Sequence, residues 1–124
     1  MAAVDKYQGE DIPILIAMTD ENGNAMNIDD LTELYVYIIH DNTIQKKFSK
    51  AGDTGYDALI KITTTSYVAR WLSGDTKDAN TGMQNLEVNI VESDVDYQDN
   101  EKNTIGCENI IYLHKSIIKT ESSG

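Results

Sequence analysis

The sequence predicts an all-β fold on three observations. Its apolar residues are mostly Ile, Leu and Val, and its aromatics are seven Tyr against one Phe and one Trp. β-Branched and aromatic side chains fit a pleated, half-buried surface. Several stretches alternate apolar and polar residues, as in Leu86-Glu87-Val88-Asn89-Ile90, the pattern of a strand with one buried face. Turn-forming residues interrupt these stretches about every eight to twelve positions.

The elements follow in order. Residues 1–6 read as a loose N-terminal arm and residues 120–124 as a frayed C-terminus. A first strand runs from Asp11 to Thr19, with Ile12, Ile14, Ile16 and Met18 on one face and Pro13, Leu15 and Ala17 on the other. Pro13 has no N–H to donate, so it marks a strand start or an edge. Asn22-Gly23 is a turn, since both residue types tolerate positive φ, and Met26 to Leu31 returns as a short extended segment. Glu33 to His40 is a long strand apolar on both faces, with Leu34, Val36 and Ile38 opposite Tyr35, Tyr37 and Ile39. Such a strand is central and covered on both sides, or it faces a partner.

Asp41-Asn42 is a turn before a strand from Thr43 to Phe48, and Ala51 to Gly55 is a loop. Tyr56 to Thr63 is a strand alternating at Ala58, Ile60 and Ile62. In Thr64 to Leu72, Tyr67, Val68, Trp71 and Leu72 fall at helical spacing behind a capping Thr65 or Ser66, which predicts one or two helical turns, with Gly74 as a C-cap. Gly74 to Gly82 is a polar loop, and Met83 to Val91 a strand with Leu86, Val88 and Ile90 inward. Ser93 to Asn103 is an acidic loop, and Thr104 to Ile118 holds one or two last strands. Six to eight short strands in one domain spanning residues 1–124 predict an antiparallel β-sandwich of immunoglobulin-like type with one short helix. A partly open barrel is the alternative.

The chain has 21 acidic and 10 basic residues and a net charge of −11. That charge argues against nucleic acid and anionic lipid, whose binding depends on Lys and Arg displacing counterions. Lys46, Lys47 and Lys50 are too few for a basic patch and read as solvated guards of a strand edge. No apolar run approaches the ~20 residues that span a bilayer as a helix, and the first residues lack a signal-peptide pattern. A cytoplasmic site of synthesis is the expectation, and one cysteine, Cys107, supports no disulfide framework.

The sequence offers no catalytic, cofactor or metal set. His40, Cys107 and His114 are the candidates for nucleophilic or metal chemistry, but their spacing suggests no Cys–His pair and supplies too few zinc ligands. Cys107 reads as a small buried thiol. Asp94, Asp96, Asp99 and Glu101 resemble the start of a calcium loop, yet Asp99 and Ile105 stand where that loop needs Gly and a bidentate Glu. Asp20, Asn22 and Asn24 fail likewise at Ala25 and Leu31. An enzyme is not expected.

The order of segments carries a resemblance. Gly9-Glu10-Asp11-Ile12-Pro13-Ile14, Thr19-Asp20-Glu21-Asn22-Gly23-Asn24-Ala25, Asn27-Ile28-Asp29-Asp30-Leu31-Thr32 and Leu34-Tyr35-Val36 resemble the N-terminal domain of phage baseplate upper proteins. Asp57 to Ile62, Thr65 to Gly74 and Leu86 to Ile90 continue the pattern, so the resemblance covers residues 7–91. The stretch from Asp75 to Met83 is longer than the pattern. The resemblance implies a virion structural protein whose partners are other virion proteins of capsid, fibre, tail or baseplate. A stand-alone copy would be a head decoration, a fibre anchor or a tail or baseplate adaptor, compatible with self-association in the assembly.

Tyr35, Tyr37, Tyr97 and Tyr112 are the candidate contact residues, because tyrosine is favoured in protein interfaces. The alternative function is a small carbohydrate-binding module, for which Trp71 is the one strong sugar platform, although its neighbours Val68 and Leu72 suggest the core. A third reading, an acidic factor directed at a host protein, lacks a visible phosphate-like array.

Overall fold

A computed structural model describes residues 4–20, 22–93, 96 and 101–116, and of residues 101–104 and 107–109 the backbone alone. The elements are β1 (Val4–Tyr7), β2 (Ile12–Ile16), a 3-10 turn (Ile28–Asp30), β3 (Glu33–His40), β4 (Thr43–Ser49), β5 (Asp57–Ala58), β6 (Ile60–Thr63), β7 (Ser66–Trp71), a single helical turn α1 (Ser73–Thr76), β8 (Gly82–Ser93) and β9 (Glu101–His114). They form a large sheet, ordered β1-β9-β8-β3-β4-β5, and a small one, ordered β2-β7-β6.

One core joins the sheets, because the two-residue period sends alternate side chains to one side. The large sheet contributes Leu34, Val36, Ile38, Phe48, Leu86, Ile90, Ile111 and Leu113. The small sheet contributes Ile12, Ile14, Ile16, Tyr67, Ala69 and Trp71, and Ile28, Leu31 and Leu59 close the space between them. The β3 strand lies between β8 and β4, central as its two apolar faces predict. The β3–β4 hairpin turns on Asp41 (φ 49°) and Asn42 (φ 65°). Two residues in that region match the twist of the flanking strands.

The chain changes sheet four times, and side-chain or backbone clasps hold two of these crossings. Between β1 and β2, the buried Thr76 hydroxyl accepts from Gly9 N at 3.0 Å and donates to Glu10 O at 2.7 Å. Asp11 Oδ1 accepts from Ser73 N at 2.6 Å, satisfying an open donor of α1. Between β5 and β6 only Leu59 intervenes; its N–H donates to Ser49 O at 2.9 Å while its side chain is buried.

Several expectations are corrected. The pairing is not wholly antiparallel: β1 runs parallel to β9, and β5 parallel to β4. The arm expected at residues 1–6 is, from Val4 on, the edge strand β1, captured along β9. Ser66 to Trp71 is a strand, not helical turns, and the one helical turn follows it. Tyr67, Ala69 and Trp71 alternate into the core there, and burial on one face outweighs a helical spacing that Val68 and Leu72 only imitate. The single strand expected from Tyr56 to Thr63 is split into β5 and β6 in different sheets; Leu59 between them takes the core position, and the alternating set Ala58, Ile60 and Ile62 is exposed. Met26 to Leu31 includes the 3-10 turn, capped by Asn27 Oδ1 on Asp29 N at 3.1 Å.

Among the described residues of the first turn, Gly23 alone has positive φ, and Asp20 Oδ1 accepts from Asn22 N and Asn24 N. The acidic loop is shorter than expected, since Glu101 to Asn103 already pair with Ser93 to Val91. The expected frayed end at residues 120–124 lies outside the described residues.

Candidate functional site: a tyrosine-lined sheet face

The outer face of the large sheet gathers three half-buried tyrosines. Because Leu34, Val36 and Ile38 occupy the core face of β3, Tyr35 and Tyr37 face outward. The loop after β4 brings a third. Buried Ser49 Oγ accepts from Asp53 N at 2.8 Å, and Tyr56 N donates to Asp53 O at 2.8 Å. Gly52 and Gly55 supply the positive φ values of this tight return. Tyr56 then packs on Tyr35, with ring centroids 5.4 Å apart, and on Tyr37 at 6.0 Å. The Tyr37 and Tyr56 hydroxyls are 3.0 Å apart, and Lys47 Nζ stands 5.0 Å from the Tyr56 ring centre. These tilted and edge contacts are the favoured aromatic geometries.

Burial keeps the Tyr35 and Tyr37 phenols neutral, and the rim of the face is polar. Burial first, then the bond to Tyr56, pushes the Tyr37 hydroxyl up to about 12. Burial and the nearby Glu33 carboxylate raise Tyr35. Across β8, Tyr35 stands opposite Asn89, Tyr37 opposite Glu87 and Ile39 opposite Asn85. Asn89 Nδ2 donates to Glu87 Oε2 at 3.4 Å. The Oδ1 atoms of Asn85 and Asn89 are buried with no hydrogen-bond partner among the described residues. Aromatic surface surrounded by polar groups is the make-up of a protein-binding patch.

Tyr112 does not join this cluster. It stands opposite Met83, four residues along β8 from Glu87, roughly 17 Å from Tyr37 by strand geometry. It is 42% exposed, and its ring centroid is 4.8 Å from that of His114. His114 also stacks on Tyr7 at 5.0 Å and meets Asp5 Oδ1 through Nε2 at 3.0 Å. Tyr97 lies outside the described residues. Sequence reasoning missed Tyr56, whose position depends on the loop fold rather than on any local pattern.

The other candidates have structural surroundings. His40 Nδ1 lies 2.9 Å from Met83 O. Cys107 is in β9 opposite Glu87, and the expected burial of its side chain lies outside the described residues. Among the described residues, no three of His, Cys, Asp and Glu are grouped to hold a metal ion. Trp71 is fully buried in the core, so its ring presents no platform to a sugar.

The three lysines read as a solvated edge are each engaged. Lys46 bridges Asp57 at 2.7 Å and Asp75 at 2.8 Å. Lys47 lies on Tyr56, and Lys50 donates to the carbonyls of Ile28, Asp29 and Leu31, closing the 3-10 turn.

No protein-family model, curated protein or solved structure matches this chain.

Proposed function

We propose that the protein is a structural component of a bacteriophage virion that binds other virion proteins through the tyrosine-lined face of its large sheet. Its place is a head decoration, a fibre anchor or a tail or baseplate adaptor, and the finer description of its fold is an immunoglobulin-like sandwich. The observation that carries this reading is the packing of Tyr35, Tyr37 and Tyr56 into one half-buried patch. Tyrosines already ordered by mutual contact lose little side-chain freedom when a partner covers them, which favours tight association. The net charge of −11 supports a protein partner over nucleic acid.

The resemblance to baseplate upper proteins supplies the virion context. Its segments fall on the β1–β2 crossover and β2, on the turn closed by Thr19 and Ala25, on the 3-10 turn, and on parts of β3, β5 to β7 and β8. The test is quantitative mass spectrometry of purified particles. A fixed stoichiometric copy number is expected, with loss of incorporation for a folded Tyr37→Ser, Tyr56→Ser double variant. Absence from particles, or unchanged incorporation of that variant, would overturn the reading.

A further inference from the structure

The small sheet turns an apolar, carboxylate-free face to solvent. Leu15 on β2, Val68 on β7 and Ile60 on β6 are register partners, forming one row across all three strands. Leu15 is 64% exposed and Ile60 37%, and Ile62, at the irregularity next in β6, is 59% exposed. Meanwhile Lys61 shares the side of buried Tyr67 and is held by Asp29 at 2.5 Å. The strand β6 thus shows its isoleucines to water on one side, while the Lys61 side chain on the other stays half exposed.

Charge indicates what covers this face. The strands Ile12–Ile16, Ile60–Thr63 and Ser66–Trp71 contain no Asp or Glu, although the chain has 21. Two copies each carrying −11 repel wherever carboxylates meet. A face-to-face approach of small sheets keeps carboxylates out of the contact, with Arg70, beside Pro13, at one end of the patch. We propose that the occupant is a second copy of this chain, packed small sheet to small sheet about a two-fold axis. The patch spans roughly 15 by 17 Å by strand geometry, well under the ~800 Å² per partner of a standard interface, so the dimer is weak and concentration-dependent. Salt screens the repulsion between copies and so strengthens it.

This inference concerns the isolated protein and stands whether or not the chain is found in particles. The test is sedimentation equilibrium of the purified full chain, from micromolar to millimolar concentration, at low and high salt. A monomer–dimer equilibrium shifting toward dimer with salt is expected. Leu15→Lys and Ile62→Lys, both at exposed positions, should weaken it by about tenfold or more, because each buries an unpaired charge. Ile44→Lys on the large sheet, at a position also 51% exposed, should leave it unchanged. Hydrogen exchange of the wild type provides a reading free of substitutions: backbone amides of β2, β6 and β7 should gain protection as concentration rises. A chain that stays monomeric throughout overturns the proposal. So does a dimer that protects other strands, or one indifferent to both lysine substitutions.

Discussion

The Tyr67 hydroxyl donates to Asp29 Oδ1 at 2.5 Å, tying the middle strand of the small sheet to the 3-10 turn that leads into β3. Lys61 holds the other carboxylate oxygen. These two donors, Lys61 first, keep the Asp29 carboxyl below its ordinary 3.8. Burial first, then Asp29, pushes the Tyr67 hydroxyl up to about 12.

The pH dependence follows in sign. Below 3.8 the unfolded chain binds the Asp29 proton more readily than the folded one, so this contribution is complete above that value and is lost as pH falls through the lowered one. Tyr67 works at the other limb: its contribution is intact below 10.0 and disappears as pH climbs toward about 12. Urea midpoints across pH should show a shallower acid limb in Asp29→Asn and a shallower alkaline limb in Tyr67→Phe. Tyr67→Phe should also lose about 1–2 kcal/mol at neutral pH. Unchanged limbs in both variants would remove the coupling.

Thr76 gives a second expectation. Its hydroxyl serves a backbone donor, Gly9 N, and a backbone acceptor, Glu10 O, and the residue is fully buried. Thr76→Val keeps the shape and strands both groups. A loss of about 2–3 kcal/mol is expected, with faster hydrogen exchange at Gly9. An exchange rate at Gly9 equal to that of the wild type would show that the clasp has another anchor.

Elements defined by their own alternation were legible in the sequence, and those defined by distant partners were not. The bounds of β3 and the inward set Leu34, Val36 and Ile38 follow from eight consecutive residues. The inward set Ile12, Ile14 and Ile16 follows likewise, and Pro13 lies on an edge strand as its missing N–H requires. By contrast, Tyr67, Val68, Trp71 and Leu72 fit a helix by spacing, and what decides for a strand is Ala69, a small residue that carries little apolar signal yet is fully buried. The break between β5 and β6 was not legible because the Ala58, Ile60 and Ile62 alternation runs through it, while Leu59 takes the core position as the chain crosses between sheets. The candidate site was half legible: alternation places Tyr35 and Tyr37 on one face, while Tyr56 arrives through hydrogen bonds of a loop to Ser49.

Gly82 marks a close approach that a methyl group cannot share. Its φ is 115°, and a Cβ there would stand 2.8 Å from His40 Cε1. Gly82→Ala therefore combines backbone strain with a clash against the end of β3, and a loss of about 1–3 kcal/mol is expected. His40→Ala should remove the clash but not the strain, so the double variant should lose less than the sum of the single ones. Additive losses in thermal unfolding would mean that the His40 ring moves aside freely.

Trp71 is the largest fully buried side chain, and its Nε1 has no hydrogen-bond partner among the described residues. Truncation there removes packing against both sheets at once. Trp71→Ala should lose about 3–5 kcal/mol, a large share of the roughly 5–15 kcal/mol that holds a domain folded. Trp71→Phe should lose less, since it keeps most of the ring and removes a buried N–H whose bond to water the fold has not replaced. Denaturant midpoints separate the cases: a wild-type midpoint for Trp71→Ala would place the indole outside the core, and equal losses for Ala and Phe would mean that the N–H finds a partner in solution.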